Sequence, residues 1–242
     1  MKASWVNRLV HVVIWLLAVG HSVVWAEANA GAPQMTAHQV VEQTTERVKA
    51  IITEAQSYFD QDPERFYREI DQVLEDVVDF NSFARAVMGP YASKRMYMSL
   101  QTAEQKKQFI ANMERFSKTF KEGLVQTYAK GLLAFNGNRI EVLPSTEPEK
   151  PGESVTVTQH IYGDAEKPYV VLYKMRQDRD GKWKLRNVTI EAINLGKVYQ
   201  SQFASAAKLY DGDIEKVIDN WSVDPTATAQ HEEQQEAPAD QG

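Results

Sequence analysis

Apolar positions recur every three or four residues through the first half of the chain, which is the spacing of one face of a helix. The first such stripe extends from Val40 to Phe59. It follows Thr36-Ala37-His38-Gln39, where a hydroxyl and an amide three residues later have the form of a capping box. A second stripe follows Asp62-Pro63, with Asp as the cap and Pro at the first helical position. Two consecutive amphipathic helices are therefore predicted.

A longer stripe follows a second capping box, Thr102-Ala103-Glu104-Gln105. A short helix is predicted before it, beginning at Asn81 or Ser82 and ending at Met88-Gly89-Pro90. One face of the long helix carries six large apolar side chains, four of them aromatic: Phe109, Met113, Phe116, Phe120, Leu124 and Tyr128. Such a wall either packs as core on another element or lines a cavity, and the periodicity is the same in both cases.

After Gly137 the apolar positions alternate with period two, which predicts β-strands. Strands are predicted at residues 139–143, 153–162, 169–176 and 182–190, the last two joined by an Asp-Gly turn at Asp180-Gly181. Helices at 196–209 and 214–221 follow, the second capped by Asp213. The order predicts an α+β fold with N-terminal helices on a four-stranded antiparallel sheet and closing C-terminal helices.

The third predicted strand is apolar on both sides. Tyr169, Val171, Tyr173 and Met175 form one face, while Val170 and Leu172 make the other apolar too. A sheet with water on one side alternates more cleanly. We therefore expect both faces to be covered, by helices on each side or by helices on one side and a ligand on the other.

The two ends of the chain differ in composition from its body. Lys2 and Arg8 precede a short apolar run from Leu9 to Val19, and Val24-Trp25-Ala26 ends in small residues of the kind that a signal peptidase reads. We predict a signal peptide at 1–26, a single domain at 27–221 and an acidic disordered tail at 222–242. Ala28-Asn29-Ala30 is a second candidate cleavage site. The chain has no cysteine, so stability in an oxidising compartment must come from the core.

Charge argues against some partners. The net charge is −6, and loss of Lys2 and Arg8 leaves 25 basic against 33 acidic residues. No basic stripe with interleaved aromatic residues predicts binding to nucleic acid. A net acidic protein is also not expected to bind an anionic bilayer through its overall charge.

No motif for catalysis is found. There is no Gly-x-Ser-x-Gly elbow, phosphate-binding loop or dinucleotide fingerprint, and the predicted body contains only His38 and His160 as histidines. Asp76 and Asp79 are more typical of a solvated helix face than of an acid–base pair. Lys94-Arg95 beside aromatic and methionine side chains forms either a solvated surface or a contact for a phosphate headgroup.

Several segments resemble the MlaC family of periplasmic phospholipid carriers. The joint from Val188 to Phe203, the segment Val77-Val78-Asp79-Phe80 and the strand Asp180 to Leu185 are similar to that family in order and spacing. Asn187 stands where the family commonly has Asp, and Ala192 where it commonly has Gly. Ala192 predicts that the backbone there does not need a positive φ angle.

The resemblance implies a soluble, monomeric periplasmic carrier of diacyl phospholipid, which is cargo rather than a cofactor, with no enzymatic activity. It further implies exchange of lipid with an inner-membrane ABC transporter bearing an MCE-type lipid-binding domain and with an outer-membrane lipoprotein–porin complex. On this basis we expect an apolar lipid cavity between helices and sheet. Its walls would be the long-helix residues Met113, Phe116, Phe120 and Leu124 and the sheet residues Val157, Ile161, Val171 and Tyr173, with Tyr91 and Met96 near the mouth.

Two other readings stay open at this point. Helices against a curved antiparallel sheet also describe small cone-shaped enzymes of the steroid-isomerase type, which need a buried acid of raised pKa. A periplasmic adaptor with a solid core and no cavity is the second alternative.

Overall fold

The computed structural model describes residues 34–133, 139–145, 149–150, 152–163 and 167–223. The predicted signal peptide at 1–26 lies outside these residues, as does residue 224 onward of the predicted tail. Val223, within the predicted tail, is buried against Gly123 and belongs to the main hydrophobic cluster.

Seven α-helices are present in the described part of the chain, with a 3-10 turn at Gly89–Ala92 between the third and the fourth. They are α1 (Ala37–Ala55), α2 (Pro63–Val77), α3 (Phe80–Met88), α4 (Lys94–Ser99), α5 (Ala103–Leu133), α6 (Leu195–Leu209) and α7 (Ile214–Asp219).

The helix starts follow the capping signals in the sequence. Thr36 Oγ1 accepts from the Gln39 amide (3.2 Å) while Gln39 Oε1 accepts from the Thr36 amide (2.9 Å), so the predicted capping box is formed. Thr102 and Gln105 pair in the same way at the start of α5. The third helix begins earlier than predicted, because Asp79 caps it by accepting from the Ser82 amide at 2.8 Å.

The sheet is antiparallel and its strands lie in chain order. The strands are β1 (Ile140–Val142), β2 (Ser154–Ile161), β3 (Tyr169–Gln177), β4 (Trp183–Ile190) and β5 (Ile193–Asn194). The α+β class is confirmed, but the prediction of four strands is wrong by one. The additional strand β5 has only two residues and pairs with the end of β4 through Thr189 and Asn194.

The turn between β4 and β5 corrects a second prediction. Glu191 and Ala192, its two residues, have φ angles of 47° and 70°. A two-residue hairpin of this kind needs positive φ at both positions to match the twist of the strands. Ala192 therefore has a positive φ angle, and the prediction that this position does not need one is wrong.

The helical core lies on one face of the sheet. The register places Val157 opposite Tyr173 and Met175 opposite Leu185, so these side chains share the inner face. Every strand residue of the two hydrophobic clusters belongs to that face. On the outer face Val170 and Leu172 are half-buried and belong to neither cluster. We expected both faces of the sheet to be covered, but the described core does not extend to the outer face.

An aromatic group fills the main cluster. The Phe116 ring contacts Phe203 edge-on with a centroid separation of 4.9 Å, and the Phe120 ring contacts Phe83 and Tyr199 at 5.3 and 5.4 Å. A second, smaller cluster joins α1, α2 and the later turns of α5: Ile52, Ala55, Phe66, Ile70, Val125 and Ala129. Neither of these two hydrophobic clusters fills the region between α1 and the sheet.

Candidate functional site

A cavity of about 740 Å³ lies between α1 and the inner face of the sheet. The helical side is formed by α1, the end of α2 and the last turn of α5, and the other side by four of the five strands. Its apolar lining consists of Val41, Val48, Ile52, Leu74, Val77, Leu132, Ile140, Ile161, Met175 and Leu185.

The position of α1 explains why the cavity has this wall. Val41, Thr45, Val48 and Ile52 are spaced by four, three and four residues and therefore lie on one helical face. The strands present alternate residues to the same space, so Tyr173 and Met175 line it together. The cavity is thus a gap between two surfaces that are each amphipathic in sequence.

The polar groups in the wall satisfy one another. The Tyr173 hydroxyl donates to Gln159 Oε1 at 2.8 Å, and Gln159 Nε2 donates to Thr45 Oγ1 at 2.7 Å. Thr45 Oγ1 in turn donates to the Val41 carbonyl at 2.8 Å. Gln159 is only 3% exposed, so an unpaired amide there would cost free energy. This chain of hydrogen bonds pairs the side-chain polar groups of Tyr173, Gln159 and Thr45 within the wall.

The wall is also electrically neutral away from its rim. Burial raises the pKa of the Tyr173 phenol above its usual range, so the hydroxyl stays protonated. Lys49 is the one charged side chain among the described lining residues, and it is partly exposed and paired with Glu46 at 3.0 Å. No carboxylic acid or histidine is among the described residues that line the cavity, whereas a steroid-isomerase type of catalysis needs a buried acid.

The cavity is large enough to hold long hydrocarbon chains. An apolar cavity of about 150 Å³ holds one benzene molecule, so about 740 Å³ holds roughly 30 carbon atoms on the same proportion. Tyr169, 55% exposed, and Lys49 lie where the cavity meets solvent. Apolar depth with a polar rim is the arrangement expected for an amphipathic ligand.

Two of the ten residues named from the sequence line this cavity, Ile161 and Tyr173. Val157 and Val171 lie on the same sheet face but are buried in contact with other side chains. Tyr91 is half-buried with its ring 5.8 Å from that of Phe203, and Met96 is 42% exposed on α4.

The long-helix residues are placed elsewhere. Phe116 and Phe120 are fully buried in the aromatic group, and Met113 and Leu124 pack against the same cluster. Their stripe faces α3, α6 and α7, whereas the described α5 residues that line the cavity are Gly131 and Leu132. The lining from α1 was not named from the sequence, although two threonines within its apolar stripe, Thr44 and Thr45, distinguish it from an ordinary core face.

Three further clefts, of about 480, 320 and 320 Å³, have charged side chains in their walls. No group of three or more His, Cys, Asp or Glu side chains in the described ranges is placed to hold a metal ion. Within the same ranges, every helix is too short or too polar to cross a bilayer.

The fold and cavity define a class: an α+β protein whose amphipathic helices enclose a neutral apolar space against one face of a sheet. Residues 42–223 match the MlaC protein family, and the chain belongs to that family. It is 30% identical over 187 residues to the toluene tolerance protein Ttg2D of Pseudomonas putida, covering 77% of this chain and 80% of that protein.

A solved structure shares the fold. The phospholipid-binding protein of Ralstonia solanacearum, determined in complex with a phospholipid, superposes with a TM-score of 0.63. The match covers 81% of this chain and 98% of that one at 20% identity. This likeness supports the α+β architecture described above.

Proposed function

We propose that this protein is a periplasmic phospholipid carrier, whose cavity holds the acyl chains while the headgroup stays at the rim near Lys49 and Tyr169. The observation that carries the proposal is the cavity itself, which is apolar, neutral and of lipid size. Membership of the MlaC family and the phospholipid bound to the Ralstonia solanacearum protein support the choice of ligand.

Transfer through water requires such a cavity. Each methylene group left in water costs about 0.8 kcal/mol, so roughly 30 tail carbons would oppose release from a bilayer by on the order of 20 kcal/mol. A carrier lowers this barrier only if its walls replace most of the bilayer contact. Side chains such as Met175, Leu132 and Ile161 provide apolar contact without competing hydrogen bonds.

The family resemblance extends the proposal to partners. The carrier would act as a monomer and exchange lipid between an outer-membrane lipoprotein–porin complex and an inner-membrane ABC transporter with an MCE-type domain. Segment 1–26 would direct export and be cleaved on translocation. The mass of the protein recovered from the periplasmic fraction tests this point, because cleavage after Ala26 and cleavage after Ala30 give different masses.

The direct test is native mass spectrometry of the purified protein, with organic extraction and quantification of lipid phosphate. A mass increment equal to a diacyl phospholipid is expected. Purified protein with no lipid phosphate, which also takes up none from vesicles, would refute the proposal.

A matched pair of substitutions tests the location of the cargo. Ile161→Asp places a carboxylate against the acyl chains, where its desolvation is unfavourable, so bound lipid should fall to a small fraction of wild type. Thr156→Asp introduces the same group on the exposed outer face of the same strand and should leave lipid content unchanged. Equal lipid in both variants would mean that the acyl chains lie elsewhere.

A further inference from the structure

Positive charge and exposed apolar side chains coincide at the junction of α4 and α5. Residues 94–110 contain four cations, Lys94, Arg95, Lys106 and Lys107, and a single acid, Glu104. This segment therefore has a net charge of +3 in a chain whose net charge is −6. None of the four cations forms an ion pair with another residue in the described part of the chain, so their charge is not neutralised locally.

The same segment carries three of the five large apolar side chains that are exposed in the described ranges: Met96 at 42%, Met98 at 67% and Ile110 at 43%. We call residues 94–110 the α4–α5 patch. Its two helices are packed together, since the Tyr97 ring lies 5.5 Å from that of Phe109 and the Lys106 ammonium lies 5.8 Å from the Tyr97 ring centre. The exposed side chains therefore project from one structured corner of the protein.

We propose that the α4–α5 patch binds the surface of an anionic lipid bilayer. Cations close to such a surface are attracted to its headgroups, and methionine and isoleucine side chains can enter the boundary between headgroups and acyl chains. The net negative charge of the protein does not prevent this, because charges beyond a Debye length of about 8 Å are largely screened at physiological salt. The relevant charge is that of the patch, and it is positive.

The shape of the patch favours a bilayer over a protein partner. None of its residues lines the cavity or the three clefts described above, in which a peptide or helix could be held. A fluid surface needs no such groove. The patch also lies far from the cargo, since 25 residues of α5 separate Lys106 from Gly131, a distance of about 38 Å along the helix. Attachment through the patch would therefore not require the cavity lining to contact the bound membrane.

The test is cosedimentation of the processed, periplasmically purified protein with vesicles of phosphatidylcholine alone or of phosphatidylcholine mixed with phosphatidylglycerol. Binding should require the anionic lipid and fall as salt is raised. The double variant Lys94→Gln/Arg95→Gln should weaken binding to the mixed vesicles roughly 30-fold, about fivefold for each cation removed. Met98→Ser should weaken it while keeping the salt dependence.

Two controls separate this proposal from charge in general and from lipid carriage. Lys174→Gln/Lys182→Gln removes the same charge from exposed positions outside the patch and should bind the mixed vesicles like wild type. Ile161→Asp, aimed at the cavity, should also bind like wild type, so loss of cargo and loss of membrane binding are distinguishable. Equal binding to both kinds of vesicle, or a patch variant that binds as wild type does, would overturn the proposal and leave the patch as a surface for a protein partner.

Discussion

Gly131 offers a position at which the cavity can be partly filled without displacing a side chain. It lies in the last turns of α5 and lines the cavity, and a Cβ atom built on it meets no atom within 4 Å. Gly131→Phe would add a ring at this lining position. By the proportion used above, one aromatic ring takes up about 150 Å³, or one-fifth of the cavity.

The substitution should change stability and cargo in opposite directions. Phenylalanine has a helix propensity about 0.5 kcal/mol better than glycine, and burial of part of its ring adds to this. The lipid-free protein should therefore become about 1 kcal/mol more stable. The lost space corresponds to roughly six carbon atoms, so a full-length lipid would lose contacts worth about 5 kcal/mol or bind with its chains partly exposed.

Urea denaturation of delipidated protein measures the change in stability. Native mass spectrometry after incubation with vesicles measures how much lipid the variant binds. Gly131→Ala is the matched control, because it gains about 1 kcal/mol of helix propensity but adds only a methyl group to the cavity. It should be stabilised and should keep its lipid. If Gly131→Phe carries the same lipids in the same amount as wild type, the cavity described here is not the cargo site.

Three further predictions concern positions outside the cavity. Phe120→Ala should lower the free energy of unfolding by about 3–5 kcal/mol in thermal or urea melts, because the ring is fully buried. The folded fraction should still carry lipid. Loss of lipid without loss of stability would instead place the ring in the cargo site. Ala192→Gly should raise stability by about 0.5–1 kcal/mol in the same melts, since glycine adopts the observed φ of 70° without strain, and a decrease would contradict the turn geometry. In Tyr58→Phe, an NMR titration should show the pKa of Glu69 rising, because the hydrogen bond from Tyr58 is the main cause that holds it below 4.5. This bond stabilises the protein above that value and its contribution is lost as pH falls through the folded pKa, so a deficit of about 1 kcal/mol at neutral pH should vanish in acid; a deficit independent of pH would assign it to packing instead.

The sequence predicted the elements well where the signal is local. Capping boxes at Thr36 and Thr102, the Asp62-Pro63 start and the period-two strands are each set by side chains within a few residues, and all are present. The fifth strand was missed because two residues cannot show an alternating pattern. The positive φ at Ala192 was missed because it is imposed by the length of the connection rather than by the residue itself.

The site was predicted less well, because its location depends on which amphipathic faces meet. Phe116 and Phe120 have the spacing of a cavity wall, but that spacing also suits a solid core, and Phe203 and Trp221 from the end of the chain complete such a core. The sequence predicts a buried stripe from Val40 to Phe59, whereas the face of α1 that lines the cavity runs from Val41 to Ile52. Only the tertiary arrangement shows that this face lines the cavity.

The hydrogen bond between Thr45 and Gln159 joins positions 114 residues apart, whereas each strand of the sheet pairs with its neighbour in the chain. The meander can therefore form from successive hairpins, and α1 docks on it through a separate, long-range closure. No ladder hydrogen bond belongs to that closure, so loss of the α1 contacts would leave the pairing of the strands intact.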